Sequence, residues 1–328
     1  MREGGEERAS RRRKKDDIPP MDARLYHWLP PRGQSIEDDA AALRNLFTGN
    51  DGEKWYIKIG WKTYDDPARW FGCSVAKQRV RGLDLKNNEI KGKIPKELYS
   101  LTKLKHLNLE GNQLTGAIPA PVILLTQNQV DTWSLRGNVN LSLPSDIGAI
   151  TVLVRLNLPM QNLVGRIPGG IMYLKCLKSI DLSQNRLTGP IPDESFKTLR
   201  SLEAVDLTYN LLTGDLPRQL AALEFVNNVK LACNQLNGAI PKQYEQLTLL
   251  DDLQLNGNRL TGKISGQAFQ GMSSLTRINL DGNCLSDRLP VQLARMTALL
   301  SIRLSGNKLT GKSDGPPQHP TQRKQAHR

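Results

Sequence analysis

The chain has 328 residues, 38% of them hydrophobic, and a formal net charge of +13. That apolar share can bury a sizeable core, and no apolar run reaches the ~18–20 residues of a membrane span. About +3 of the charge lies in each of residues 1–34 and 312–328, so the middle is modestly basic and a nucleic-acid interface does not follow from charge alone.

Residues 1–34 mix charge with proline and glycine, include the basic run Arg11 to Lys15, and hold one apolar cluster at Leu25, Tyr26, Trp28 and Leu29. Such a composition predicts a disordered arm, with the basic run available as an import signal or a weak polyanion contact. From 35 to 79 the pattern changes. Ser35 followed by Asp38 reads as a helix start, and Ile36, Ala40, Leu43 and Phe47 fall on one helical face. Trp55, Trp61 and Trp70 supply bulk for a cap over the next segment of the chain.

That segment, from 80 to 311, is a repeat of about 24 residues, quoted at Leu104 to Pro119 as LKHLNLEGNQLTGAIP. Leu107 and Leu109 alternate as a short strand with one buried face must, and a single unit cannot bury them. Stacking the units predicts a right-handed α/β solenoid of about ten repeats, its parallel strands forming a concave sheet. Each unit carries an asparagine placed to satisfy backbone groups where the chain leaves the strand: Asn88, Asn112, Asn138, Asn185, Asn210, Asn234, Asn258, Asn283 and Asn307. The fourth unit has Gln161 instead, and its extra methylene should shift the turn locally. The second unit is longer by two around Gln127, and the third has Asn140-Leu141-Ser142-Leu143 where Leu-Thr-Gly-x-Ile would fit. Asn140 begins the chain's single Asn-x-Ser/Thr sequon. Residues 312–328 read as a second disordered basic tail.

The pattern LxxLxLxxNxLxGxIP resembles the plant-type leucine-rich repeat of receptor-kinase ectodomains and polygalacturonase-inhibiting proteins, over about seven-tenths of the chain. Trp70-Phe71-Gly72 matches the middle of that family's N-terminal cap. The cap's paired cysteines do not match: Ala68 and Val75 stand in their places, with Cys73 displaced between them. Together with Cys176, Cys233 and Cys284, Cys73 lacks the spacing of a disulfide framework or a zinc site, so four free thiols are expected.

His106 is the one histidine within the repeats, so no nucleophilic constellation or metal site can be assembled. Asp181 and Asp206 should lie side by side on neighbouring strands, which makes a carboxylate pair on an open face rather than a catalytic site. No enzyme activity, cofactor or small-molecule substrate is expected. The outward column Asp84, Asn108, Ser134, Asn157, Asp181, Asp206, Lys230, Gln254, Asn279 and Arg303 is polar throughout. Units four to seven depart from this. There Val154, Pro159, Met160, Tyr209 and Cys233 are expected to be exposed together, rimmed by Arg155, Lys178, Asp181, Asp206 and Lys230, as a site for a protein partner. The expectation is an interaction scaffold of the cytoplasm or nucleus. The alternatives are an extracellular recognition domain or enzyme inhibitor, if the N-terminus is incomplete, and a polyanion or membrane-surface binder acting through its basic arms.

Overall fold

The computed structural model describes residues 35–127 and 130–310. The arm, its basic run, the Leu25 to Leu29 cluster and the 312–328 tail lie outside the described residues.

The cap forms as its spacing requires. Ser35 and Asp38 close a capping box on the helix Ile36–Gly49, whose inward face buries Ala40, Leu43, Leu46 and Phe47. Trp61 packs against Phe47, Trp55 and Trp70 at centroid distances of 5.7, 5.1 and 4.9 Å. Each indole N–H is used, donating to the carbonyls of Asn50, Phe71 and Tyr64. Asp39, which local patterning does not single out, is fully buried on this helix. Its carboxylate pairs with Arg79 at 2.7 Å and accepts from the Val80 N–H at 2.8 Å, tying the cap to the first repeat strand. That strand, Arg79–Asp84, also pairs antiparallel with the cap strand Cys73–Ala76.

Repeat strands then come at His106–Asn108, Thr132–Ser134, Arg155–Asn157, Ser179–Asp181, Ala204–Asp206, Asn228–Lys230, Asp252–Gln254, Arg277–Asn279 and Ser301–Arg303. Paired strands are in register and parallel, so Ile180 lies between Leu156 and Val205 in one leucine layer. The asparagines perform the task expected of them. Asn112 donates to the Leu85 and Leu109 carbonyls at 2.9 Å and accepts from the Asn88 and Ile90 N–H groups at 3.0 Å, and Asn138 to Asn307 repeat the theme. Asn88, first in line, bonds instead to both backbone groups of Ile57 in the cap.

A second sheet was not anticipated. The Leu-Thr-Gly segments pair with one another, six of them from Gly116–Ala117 to Gln235–Asn237 and three more from Thr261–Lys263 to Lys308–Leu309. Short helical turns close the third side of the first nine coils. Most bury one large apolar residue, such as Leu98, Ile171, Phe196, Leu220 or Tyr244, while the turns of the second unit bury Val122, Ile123, Leu124 and Leu125.

The first sheet is not continuous. The strands of the first three units belong to one sheet and those of the remaining seven to another, with no pairing between Thr132–Ser134 and Arg155–Asn157. Two glutamines fill the gap. Where Leu109 N–H donates to the Ser134 carbonyl, the equivalent Leu135 N–H donates to Gln161 Oε1 at 2.6 Å. Val154 N–H, which should reach the strand before it, is taken by Gln127 Oε1 at 2.6 Å. The longer reach of Gln161 is the local shift expected of it. Trp133 also stands at the break, in register with Leu107 of the neighbouring strand, and its buried Nε1 has no hydrogen-bond partner among the described residues. Trp133→Leu combined with Gln161→Asn is expected to close the gap. Hydrogen exchange should then show the Leu135 and Val154 amides protected like their counterparts, and unchanged exchange would place the cause elsewhere.

Tyr244 is the other buried side chain without a partner among the described residues. It occupies the apolar slot that Phe196 and Leu220 fill in the units before it, fully buried with its hydroxyl unpaired. Burial pushes its ionisation far above the ordinary phenol range. An unpaired buried hydroxyl destabilises, so Tyr244→Phe should raise stability by about 0.5–1.5 kcal/mol. A urea midpoint that falls in this variant would mean that the hydroxyl has a partner in solution.

Candidate partner-binding face

The candidate site is a column of turns at the end of the first-sheet strands, one residue before each ladder asparagine. Its members are Asn87, Gly111, Gly137, Met160, Gln184, Tyr209, Cys233, Gly257, Gly282 and Gly306. All have left-handed backbone, with φ between 53 and 70°. The geometry is set by the ladder: to bring the asparagine amide under the preceding unit, the chain must reverse its twist for one residue. Glycine does this freely, whereas a residue with Cβ is strained by ~1–2 kcal/mol. Five units use glycine and Asn87 is among the tolerated exceptions. Units four to seven place Met160, Gln184, Tyr209 and Cys233 there in succession, at φ of 60, 55, 54 and 56°.

These side chains stand out from the face. Tyr209 is 61% exposed and Met160 38%, while Cys233 is half-buried. The neighbouring Cys233 side chain raises the Tyr209 phenol above its ordinary pKa. Arg136 donates to the Met160 sulfur at 2.9 Å.

Several expected members of the patch do other work. Val154 is half-buried and its carbonyl holds Lys178 N–H at 2.8 Å, while the Pro159 carbonyl accepts from Gln161 Nε2 at 2.7 Å. Both are half-buried rather than exposed. Asp181 and Asp206 are register partners, as spacing implied. Their carboxylates cap the turn, each accepting a hydroxyl at 2.7 Å, from Ser183 and Thr208 respectively. Asn108 and Asn279 cap the same turn in their own units, so much of the outward column is turn chemistry rather than solvated surface. Lys178 is paired with Glu203 at 2.8 Å. Of the expected rim, Arg155 is exposed and Lys230 half-exposed, and neither forms an ion pair among the described residues. Met160 and Tyr209 are not neighbours: Gln184 stands between them. Sequence reasoning passed over Gln184 and Arg136, although an alignment of the units on their asparagines shows Gln184 where glycine is usual.

Cys73 is half-buried, and loss of solvent around its thiol pushes the thiol up to about 12. The four cysteines are unpaired. Among the described residues no group of His, Cys, Asp or Glu is arranged to hold a metal ion, and no helix is long and apolar enough to cross a membrane.

Strain at an exposed position can be relieved by glycine. Tyr209→Gly and Met160→Gly should each raise unfolding free energy by about 0.5–1 kcal/mol, although the average mutation lowers it. Thermal melts of both variants check this, and a lowered midpoint would show that the side chains hold the turn rather than strain it.

Residues 175–236 and 248–309 match the family described as Leucine rich repeat, and residues 78–120 match Leucine Rich repeats (2 copies). No curated protein sequence matches the chain significantly. Among solved structures it is similar to a plant ice-binding protein, at 27% identity and a TM-score of 0.58, over 84% of this chain and 87% of that one. It also resembles the ectodomain of the receptor kinase GASSHO1/SCHENGEN3 from Arabidopsis thaliana, solved in complex with CASPARIAN STRIP INTEGRITY FACTOR 2, at 33% identity and a TM-score of 0.53. A third similar structure is the plant peptide hormone receptor RGFR1 in complex with RGF2, at 26% identity and a TM-score of 0.54. The match covers 70% and 68% of this chain against these two receptors, but only 30% and 39% of theirs. With stacked parallel strands, an asparagine ladder and an N-terminal helix cap, the chain belongs to the leucine-rich repeat family, in the plant-type form of receptor-kinase ectodomains.

Proposed function

We propose that this chain is a non-catalytic recognition domain that binds a protein or peptide segment on the turn column of its first sheet, centred on Met160, Gln184 and Tyr209. The observation that carries the reading is the run of four left-handed residues with side chains, in a column where five other units use glycine. Strain maintained at adjoining exposed positions has no structural return, and a binding role supplies one. Tyr209 provides an aromatic anchor, and Met160 an adaptable apolar one. The receptors RGFR1 and GASSHO1/SCHENGEN3 were each solved with a peptide factor, which favours the same class of partner for this chain. The likeness to the ice-binding protein is not extended to ice. The exposed residues of the second-sheet strands here include the charged Arg186, Asp215 and Lys263. Four unpaired thiols favour a reducing compartment, cytoplasm or nucleus; the receptor likeness favours the cell surface.

The test is selection of displayed peptides on the folded chain. Selected peptides should lose about 1–3 kcal/mol of affinity to Tyr209→Ala and to Met160→Asp, with thermal stability maintained in both. Peptides that bind both variants as tightly as the parent would remove the column from the reading.

A further inference from the structure

The last described unit ends the solenoid on an open layer. Ile302, Leu304 and Leu309 are half-buried, whereas their counterparts one unit earlier, Ile278, Leu280 and Leu285, are buried. Leu300 is 65% exposed. Leu289 of the ninth unit stands where earlier units bury Ile240 and Ile264, and it too is exposed. The residues that follow, 311–328, hold no leucine, isoleucine, valine, methionine, phenylalanine, tyrosine or tryptophan, so they bring no large apolar side chain to this layer.

Backbone groups are open at the same edge. Along the first sheet each strand bonds the next in a fixed way: the Thr276 carbonyl accepts from Leu300 N–H, and Leu280 N–H donates to the Arg303 carbonyl, both at 2.9 Å. The equivalent groups of the last strand are the Leu300 carbonyl and the Leu304 N–H. Residues of a strand bond alternately to one side and the other, so Ile302 between them turns both its N–H and its carbonyl to the open side. Among the described residues no strand pairs with Ser301–Arg303 there.

An edge of this kind is a template for another strand, and the order of its groups selects which. An acceptor at Leu300, both groups at Ile302 and a donor at Leu304 match a copy of themselves after a half-turn. With two copies antiparallel about Ile302, the two Ile302 residues exchange both bonds, and each Leu304 N–H meets the other copy's Leu300 carbonyl. Each Leu300 side chain then lies beside the other copy's Leu304, and Arg303 stands opposite Ser301, so like charges are not set face to face. The other end of the solenoid cannot take part. Its first strand already pairs with Cys73–Ala76, and the buried cap tryptophans cover its layer. Contact between two C-terminal edges therefore closes on itself and does not continue into a filament.

We propose that this edge is the interface of a two-fold dimer, in which Ser301–Arg303 of two copies pair antiparallel and the first sheet runs from one solenoid into the other. The edge lies apart from the turn column at Met160 to Tyr209, so either reading can fail without the other.

Sedimentation over the micromolar range should show a dimer of the full chain. Leu300→Asp, at an exposed position, should raise the dimer dissociation constant about ten-fold or more, while Tyr209→Ala leaves it unchanged. Disulfide trapping tests the register. Ser301 and Arg303 of opposite copies form a non-hydrogen-bonded pair with Cα atoms about 4.5 Å apart, within a disulfide's reach. Under mild oxidation, Ser301→Cys mixed with Arg303→Cys should give a covalent dimer that neither variant gives alone, because each residue lies two positions out of register with its own copy. A chain that stays monomeric, a dimer that Leu300→Asp leaves intact, or a mixture that cross-links no more than either variant alone overturns the inference.

Discussion

The constraint on which the structure depends is the turn that each unit must bury. A coil of about 24 residues leaves its strand inside the molecule, at a depth where water cannot supply hydrogen bonds, so backbone carbonyls and N–H groups there need polar side chains. One asparagine per unit meets the need, donating to carbonyls of its own unit and the one before, and accepting from an N–H group behind it. Because each amide reaches into the preceding unit, the ladder also fixes the register of stacking. The first asparagine extends it to Ile57, so the cap is held by the same device as the repeats.

A ladder of this kind tolerates change poorly, and the fourth unit shows how a fault is contained. Gln161 is one methylene longer than the asparagine of the other units and bonds the Leu135 N–H instead, and Trp133 stands where the neighbouring strand has Leu107. The first sheet parts there, but two side-chain carbonyls take over two of the main-chain bonds that are lost. The second sheet runs on unbroken past the same units. Cooperativity between units three and four therefore passes through the second sheet and the leucine layers, and the first sheet contributes little to it.

The fold was legible because its signals are repeated: Leu107 and Leu109, Asn112 and Gly116 recur at fixed spacing, and periodicity averages out the exceptions. Cap residues with clear chemistry, Ser35, Asp38 and the tryptophans, were legible for the same local reasons. Asp39 was not, since a buried carboxylate looks like a solvated one until Arg79, forty residues away, is brought to it. The second sheet was missed because Leu-Thr-Gly reads as a bend, and its pairing depends on neighbouring units rather than on its own pattern. At the candidate site, Met160 and Tyr209 were legible as large apolar residues where polar ones prevail. Their strain was not, because φ cannot be read from a single unit. Asp181, Asp206 and Lys178 were read as a charged rim on polarity alone, and only the folded chain shows their atoms already committed to Ser183, Thr208 and Glu203.

The ladder and the candidate site are linked by one backbone geometry. Placing the asparagine amide correctly forces the residue before it into the left-handed region, and that residue then points away from the leucine core. At this position side-chain identity acts through strain and through contact with the neighbouring turn, since a Cβ on Gly111 would collide with Asn87 Oδ1 and one on Gly257 would lie 3.3 Å from Cys233 Sγ. A sequence under selection for stability alone should fill it with glycine, as Gly111, Gly137, Gly257, Gly282 and Gly306 do. Four successive units that decline glycine accept a combined cost comparable with a substantial part of a domain's net stability. Their side chains project at ladder spacing, held in direction by the same constraint that strains them. The turn that supports the coil also fixes the Cβ vectors of Met160, Gln184, Tyr209 and Cys233, so the direction in which each side chain leaves the surface is set by the ladder, while its own torsions stay free.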